Sequence, residues 1–135
     1  GDGPERARLE RLAGPRATFY RRVGEAELAR LYERCAALVQ CGVEDFGMAV
    51  LEAQAAGRPV IAFGAGGALE TVVPGETGLF IGEQSLEAVT EALGAFTPRQ
   101  FDPAASRAQA ERFDEAHFRA GILAAVRSLP AGGSQ

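Results

Sequence analysis

Two short apolar runs, each directly after a helical pattern, constrain the fold of this chain most strongly. Residues 36–40 follow a segment in which Leu28, Leu31, Tyr32 and Cys35 recur at helical spacing, and residues 60–63 follow an alanine-rich segment. Short apolar runs of this kind are typical of strands buried on both faces of a parallel sheet. The alternation with short connections predicts an α/β fold with a doubly wound, Rossmann-like parallel sheet.

Capping and turn residues predict the remaining elements. Pro4 suits the first helical position, Gly57 with Pro59 suits a helix end, and Ser85 and Asp102 are N-cap residues. The predicted segments are a helix to about residue 12, a strand over 17–20, a helix from 25, a helix over 46–56, a short helix over 69–73, a strand over 78–81, and three later helices. We expect residues 1–129 to form one partial domain and residues 130–135 to be a disordered tail.

The composition excludes several classes of function. All 14 basic residues are Arg, they are scattered, and the net charge is −4, so the sequence favours no nucleic-acid partner. No apolar run approaches the roughly 18 residues that a membrane span needs. Cys35 and Cys41 have no second Cys or His pair for a metal, so we expect them to be reduced core residues of a cytoplasmic protein.

The segment over residues 44–52 is the strongest candidate for chemistry, because it joins the end of a predicted strand to the start of a predicted helix. The free N–H groups and the dipole of a helix N-terminus suit a phosphate or diphosphate. Gly47 has no side chain, so a ligand could approach the backbone of Phe46, Gly47 and Met48 closely.

Glu44 and Glu52 are candidate ligands for sugar hydroxyls, since carboxylates accept hydrogen bonds strongly. If the whole segment were helical, the two would be separated by a rise of about 12 Å. A structural alternative stays open: acidic residues just before a helix are favoured by capping and by the helix dipole alone. Glu52 could likewise lie on a solvated helix face.

These residues resemble the retaining GT-B glycosyltransferases known as family 4 or group 1. Glu44 and Glu52 are similar to the E-x7-E motif of that family, within a block that continues to Ile61. The resemblance also covers residues 1–4, 27–32, 66–72 and 77–80, and so extends over roughly residues 1–96; a closing helix over 112–126 is similar as well.

The resemblance implies the C-terminal, donor-binding domain of an enzyme that transfers a hexose from a nucleotide sugar with retention of configuration. It implies Glu44 as the catalytic residue at the donor sugar, Glu52 at the ribose, and donor contacts by residues 45–48, which are Asp45, Phe46, Gly47 and Met48. It implies no metal and no cofactor. The donor would be GDP-mannose or a UDP-sugar, with a preference for the former, and the leaving phosphate would assist the acceptor in a front-face mechanism.

Two departures from the family pattern bear on function. The acceptor-binding domain and the opening strands of the donor domain, with the basic residues that clamp the diphosphate, are missing, so we expect the isolated chain to be inactive and its sheet edge to be apolar. Arg21 also stands where the family usually has glycine. The full-length enzyme could associate peripherally with a membrane.

Two rival interpretations remain open. One is a truncated, non-catalytic module that binds a nucleotide or a partner; the other is a different GT-B enzyme, such as an epimerase or a phosphorylase, which the E-x7-E block disfavours. Gly66, Gly67 and Glu70 fit a backbone turn better than a ligand site. His117 has no Ser, Cys or Asp constellation around it in the sequence and is interpreted as a surface or packing residue.

Overall fold

The computed structural model describes residues 2–129, so the predicted tail over 130–135 lies outside the described residues. The chain divides into two compact units, Gly1–Leu31 and Tyr32–Gln135. The α-helices are α1 (Arg6–Ala13), α2 (Glu25–Arg34), α3 (Met48–Ala55), α4 (Ala68–Thr71), α5 (Leu86–Ala95), α6 (Pro103–Glu111) and α7 (Glu115–Ser128), and short 3-10 helices cover Gly14–Arg16 and Pro98–Gln100.

A parallel sheet flanked by helices forms the centre of the second unit, which confirms the predicted α/β class. Within residues 2–129 its strands are β1 (Leu38–Gln40), β2 (Val60–Phe63) and β3 (Gly78–Ile81), in the spatial order β1-β2-β3. Leu38 is paired with Val60, and Val60 with Gly78. Because all three strands run the same way, their carboxyl ends and the loops that follow them lie at the same end of the sheet.

The core lies between this sheet and helices α3 and α4. Val60 and Ala62 point to the same face of β2 and pack with Val50 and Ala53 of α3 and with Ala68 and Val72. Tyr32, Leu38 and Phe80 pack against this cluster and are partly buried. The alternation of side chains along a strand therefore sets which residues of β2 hold α3 in place.

The predicted strand over residues 17–20 is wrong. The structure assigns no strand there, and residue 19 instead offers its carbonyl to the guanidinium of Arg6, at 3.1 Å. A strand needs a neighbour with which to exchange backbone hydrogen bonds. The local sequence carries the extended preference but cannot supply that neighbour.

Strand β1 lies at the edge of the sheet, so the prediction that it is buried on both faces is wrong. Val39 is 41% exposed, whereas Ile61 beside it on β2 is fully buried. The exposed Val39 agrees with the apolar edge that the sequence predicts. Cys41, just beyond β1, is exposed rather than in the core, and Cys35 is half-buried; both are free thiols.

Helix boundaries differ from prediction at positions set by the backbone. Helix α3 begins at Met48 rather than at residue 46, because Gly47 adopts a left-handed conformation with φ of +82°. Helix α1 begins at Arg6, two residues after Pro4. The caps at Ser85 and Asp102 are confirmed: each side chain accepts a backbone hydrogen bond from the helix that it precedes. Asp114 caps α7 in the same way.

Two buried amides join α4 to its neighbours. The Gln54 side chain of α3 donates to the carbonyl of Thr71 at 2.9 Å, and the Gln109 side chain of α6 donates to the same oxygen at 3.3 Å. The last carbonyls of a helix have no partner within the helix. Gln54 and Gln109 supply partners from neighbouring helices and so fix the end of α4.

We predict that Gln54→Met lowers the free energy of unfolding by about 1–2 kcal/mol, because a shape-similar side chain removes one donor from a buried carbonyl. Denaturant unfolding measures the change. Gln84→Met is the matched control, since that side chain is exposed and its single hydrogen bond lies at the surface; its effect should stay within about 0.5 kcal/mol. Equal effects of the two substitutions would contradict the role of Gln54.

Candidate functional site

The loop that carries Glu44 is held by a second loop through its backbone. The N–H of Gly67 donates to the carbonyl of Glu44 at 2.8 Å. A Cβ at Gly66 would lie 2.5 Å from the Glu44 oxygen, and one at Gly67 would lie 2.5 Å from the oxygen of Phe46. Real Cβ atoms do not approach so closely, so only glycines allow this contact. The structure thus supports the backbone interpretation of the glycine turn.

The N-terminus of α3 has no side-chain cap. Gly47 occupies the N-cap position, and its carbonyl accepts from the N–H of Val50 at 3.0 Å and of Leu51 at 3.3 Å. Neither Glu44 nor Asp45 caps the helix, so the capping explanation for these acids is wrong. Within residues 2–129 the N–H groups of Met48 and Ala49 meet no acceptor, and they carry the positive end of the helix dipole.

A cavity of about 330 Å³ opens at this helix N-terminus. It is lined by the end of β1, by the acidic loop and by the first turn of α3: Gln40, Glu44, Asp45, Phe46, Gly47, Met48, Ala49 and Val50. The Gln40 amide lies 3.5 Å from the Glu44 carboxylate and donates toward it. The cavity therefore combines two acidic residues with the residues whose N–H groups are free at the start of α3.

Glu52 lies in a neighbouring cavity. Met48, Glu52 and Ala55 form the exposed stripe of α3, while most of the other residues of the helix are buried. This stripe lines a cavity of about 390 Å³, and residues of α6 and of the turn after it form the opposite wall. Both cavities share Phe46 and Met48.

The two glutamates are therefore close in the fold but not on one continuous helix. Glu44 belongs to the loop, and only residues 48–52 of the interval are helical, so the helical rise of about 12 Å expected between them does not apply. All the predicted site residues flank the N-terminal turn of α3. Gly47 is the only one of them that is buried.

Tyr32 is the contact of Glu52 that the sequence did not reveal. Its hydroxyl donates to Oε2 of Glu52 at 3.0 Å, across twenty residues of sequence. Burial of the ring, and then the hydrogen bond and the negative charge of Glu52, raise the pKa of Tyr32 to about 12. The phenol is therefore protonated, and remains a donor, throughout the neutral range.

Phe113 is a second residue that was not predicted. Its ring meets the ring of Phe46 edge to face, with centroids 6.1 Å apart and an angle of 69° between the planes. Such aromatic pairs add stability beyond the buried area. The contact ties the acidic loop to the turn between α6 and α7, and Phe113 borders the cavity that contains Glu52.

His117 lies on the surface, as the sequence predicts, beside an acid that borders the cavity of Glu52. Its Nδ1 lies 2.8 Å from Oδ1 of Asp114. The backbone hydrogen bond from His117, and then this side-chain contact, lower the pKa of Asp114.

Among the described residues no group of three or more His, Cys, Asp or Glu side chains could hold a metal ion. No helix within residues 2–129 is long and apolar enough to cross a bilayer.

Comparison with known proteins identifies relatives of this chain. Residues 1–97 match the family described as "Glycosyl transferases group 1". The chain is 37% identical, over 101 residues, to D-inositol 3-phosphate glycosyltransferase of Streptomyces coelicolor, covering 70% of this chain and 22% of that protein. It is 39% identical, over 83 residues, to a GDP-mannose-dependent alpha-(1-6)-phosphatidylinositol monomannoside mannosyltransferase of Mycobacterium tuberculosis, covering 62% of this chain and 22% of that protein.

Solved structures show the same fold. Sucrose-phosphate synthase of Thermosynechococcus elongatus matches 93% of this chain and 35% of its own, at 30% identity and a TM-score of 0.78. HepE of Anabaena, solved in complex with UDP and glucose, matches 78% of this chain and 30% of its own, at 28% identity and a TM-score of 0.58. The chain thus corresponds to part of a GT-B structure and spans about a fifth of the length of the first curated relative.

We predict that Gly67→Ala destabilises the protein by about 1–3 kcal/mol, because the added methyl group would overlap the backbone of the acidic loop. Gly94→Ala is the control, since a Cβ there meets nothing within 4 Å and the residue is exposed in the last turn of α5. Alanine at this position should leave the stability unchanged or raise it by up to about 1 kcal/mol. Thermal or denaturant unfolding measures both variants. Equal stability of the Gly67→Ala and wild-type proteins would contradict the tight packing of the two loops.

We also predict that stability decreases as the pH rises from about 10 to about 12. The pKa of Tyr32 is raised from 10.0 to about 12, so in this window the folded state keeps a proton that the unfolded state releases, and increasing pH favours unfolding. The chain has two tyrosines and no tryptophan, so in a Tyr20→Phe variant phenolate absorbance reports on Tyr32 alone. Glu52→Gln should shift this titration to lower pH. An unshifted titration near pH 10 in the folded Tyr20→Phe chain would contradict the contact.

Proposed function

Because the chain belongs to the group 1 glycosyl transferases, we propose that residues 1–129 supply the donor-binding part of an enzyme that transfers a hexose from a nucleotide sugar to an acceptor with retention of configuration. The chain spans about a fifth of the first curated relative. Transfer then requires a further, acceptor-binding domain, so the isolated chain binds a donor without catalysis. Any peripheral membrane association belongs to the full-length enzyme.

The observation that carries this proposal is the uncapped N-terminus of α3 at the carboxyl end of β1. Met48 and Ala49, whose N–H groups are free, line a cavity that also has two acidic residues on its wall. Phosphates bind helix N-termini because the N–H groups and the dipole both favour negative charge. The diphosphate of the donor occupies this position, and Phe46 and Gly47 approach it with their backbone.

Glu44 contacts the donor sugar in this arrangement. It is exposed, it faces the same cavity as the free N–H groups, and its backbone is fixed by Gly67. A carboxylate held there accepts hydrogen bonds from sugar hydroxyls and fixes the anomeric carbon above the diphosphate. Asp45, beside it, adds a second acceptor on the wall.

Glu52 contacts the ribose of the nucleotide. It lies one helical turn beyond Met48, in the neighbouring cavity that shares the walls of Phe46 and Met48. A nucleoside diphosphate whose phosphates meet the helix N-terminus can place its ribose against this exposed stripe of α3. The two hydroxyls of the ribose then donate to one carboxylate.

The transfer breaks the bond between the anomeric carbon and the diphosphate oxygen and forms a bond from that carbon to the acceptor oxygen. Negative charge develops on the leaving diphosphate, and the N-terminus of α3 stabilises it. In the front-face mechanism that the family resemblance implies, the acceptor proton moves to the leaving phosphate. No step of this kind requires a metal ion or a cofactor.

We favour GDP-mannose as the donor, with UDP-glucose as the alternative. The mycobacterial relative is described as GDP-mannose-dependent, whereas HepE was solved with UDP and glucose. The sequence resemblance to mannosyltransferase-like members points in the same direction as the first of these. The base is the part of the donor that distinguishes the two.

The test is thermal unfolding of the chain with UDP, GDP, UDP-glucose or GDP-mannose. A ligand that binds only the folded state at 100 times its Kd stabilises by about 2.7 kcal/mol, which raises Tm by roughly 10 °C. We expect one nucleotide to raise Tm in wild type, and Glu52→Ala to lose most of the shift. Glu91→Ala, another exposed glutamate inside a helix, is the matched control and should keep the shift.

The outcomes separate the proposal from its rivals. A shift by GDP alone or by UDP alone identifies the base of the donor. A cooperative melt that no nucleotide moves would overturn donor binding by this chain and favour a non-catalytic module. A shift as large in Glu52→Ala as in wild type would leave nucleotide binding in place and remove Glu52 from it.

A further inference from the structure

The hydrogen bond between Tyr32 and Glu52 suggests that Tyr32 affects ligand binding through the Glu52 carboxylate. Glu52 stands on the exposed stripe of α3, and its Oε2 accepts the hydroxyl of Tyr32 at 3.0 Å. The terminal torsion of a glutamate is broad, so an exposed carboxylate without a fixed partner samples many orientations. The contact with Tyr32 removes that freedom.

We propose that Tyr32 is a positioning residue, which holds the Glu52 carboxylate in the orientation that accepts both hydroxyls of a ribose. This inference rests on the donor-binding role of Glu52 proposed above. It adds to that role a second side chain, from a different helix, on which recognition of the ribose depends.

Tyr32 is itself anchored independently of Glu52. Its ring packs against the core cluster around Val50 and Val60. Near the C-terminus of α2, the Arg58 guanidinium donates to the carbonyl of Glu33, and the N–H and Sγ of Cys35 both donate to the carbonyl of Tyr32, each at 3.2 Å. The phenol oxygen is thus fixed relative to α3 by contacts that do not involve the carboxylate.

The carboxylate retains the capacity that a diol requires. An ionised carboxylate has about four lone-pair sites on its two oxygens. Tyr32 occupies one site on Oε2, so Oε1 and the remaining site of Oε2 can each accept one ribose hydroxyl. The hydrogen bond from Tyr32 therefore orients Glu52 without blocking it, and the raised pKa of Tyr32 keeps the phenol a donor over the neutral range.

The test compares nucleotide binding of the full chain as wild type, Tyr32→Phe, Glu52→Ala and the double variant, by calorimetry. The probes are UDP and GDP, each beside its 2′,3′-dideoxy analogue, which lacks the two hydroxyls. Tyr32→Phe should weaken binding of UDP or GDP about fivefold, as expected for one lost hydrogen bond. It should leave the dideoxy analogue unchanged. Because the hydroxyl acts through the carboxylate, the double variant should bind as Glu52→Ala alone does.

Tyr20→Phe is the matched control, since it removes the other phenol of the chain, and it should bind as wild type does. Equal weakening of the nucleotide and its dideoxy analogue by Tyr32→Phe would show a purely structural role and overturn the inference. Unchanged binding by Tyr32→Phe, with loss in Glu52→Ala, would overturn the inference alone. Absence of nucleotide binding by wild type would overturn the proposed function together with the inference.

Discussion

The candidate site depends on the backbone contact between two loops at the carboxyl end of the sheet. The loop after β1 carries Glu44, and the loop after β2 carries Gly66 and Gly67. Neighbouring parallel strands place both loops at the same end of the sheet, where the Gly67 N–H donates a hydrogen bond to the Glu44 carbonyl at 2.8 Å. A Cβ atom at either glycine would collide with residues 44–46. The acidic loop can therefore lie in this position only because both residues are glycine.

This constraint also fixes where α3 begins. With the loop held against Gly66 and Gly67, the chain turns into the helix through the left-handed Gly47. The N-terminal N–H groups then face the cavity beside Glu44 rather than a capping side chain. An uncapped helix end costs stability in a protein without a ligand. A ligand with negative charge at that place recovers it, which links the missing cap of α3 to the proposed binding of a diphosphate.

The sequence predicted those features that depend on a few neighbouring residues. Strands β2 and β3 and the caps at Ser85 and Asp102 are confirmed, because apolar runs and N-cap side chains act within a few positions. The predictions of a strand over 17–20 and of a fully buried β1 were wrong, because both features depend on a neighbouring strand that the local sequence does not specify. The contacts of Tyr32 with Glu52 and of Gln54 with Thr71 join positions roughly twenty residues apart, and no pattern of spacing indicates them.

The seven-residue interval between the two glutamates acquires a structural meaning from the boundary at Met48. It consists of the end of a loop, residues 45–47, and of the first four helical residues, 48–51, which lead to Glu52. One residue corresponds to a rotation of about 100° about a helix axis, and the positions next to Glu52 are the buried Leu51 and Ala53. A change of one residue within that helical part would carry the second carboxylate away from the exposed stripe and from Tyr32. The interval is therefore set by the rotation of the helix, which brings Glu52 to its cavity, and not by a distance along the helix axis.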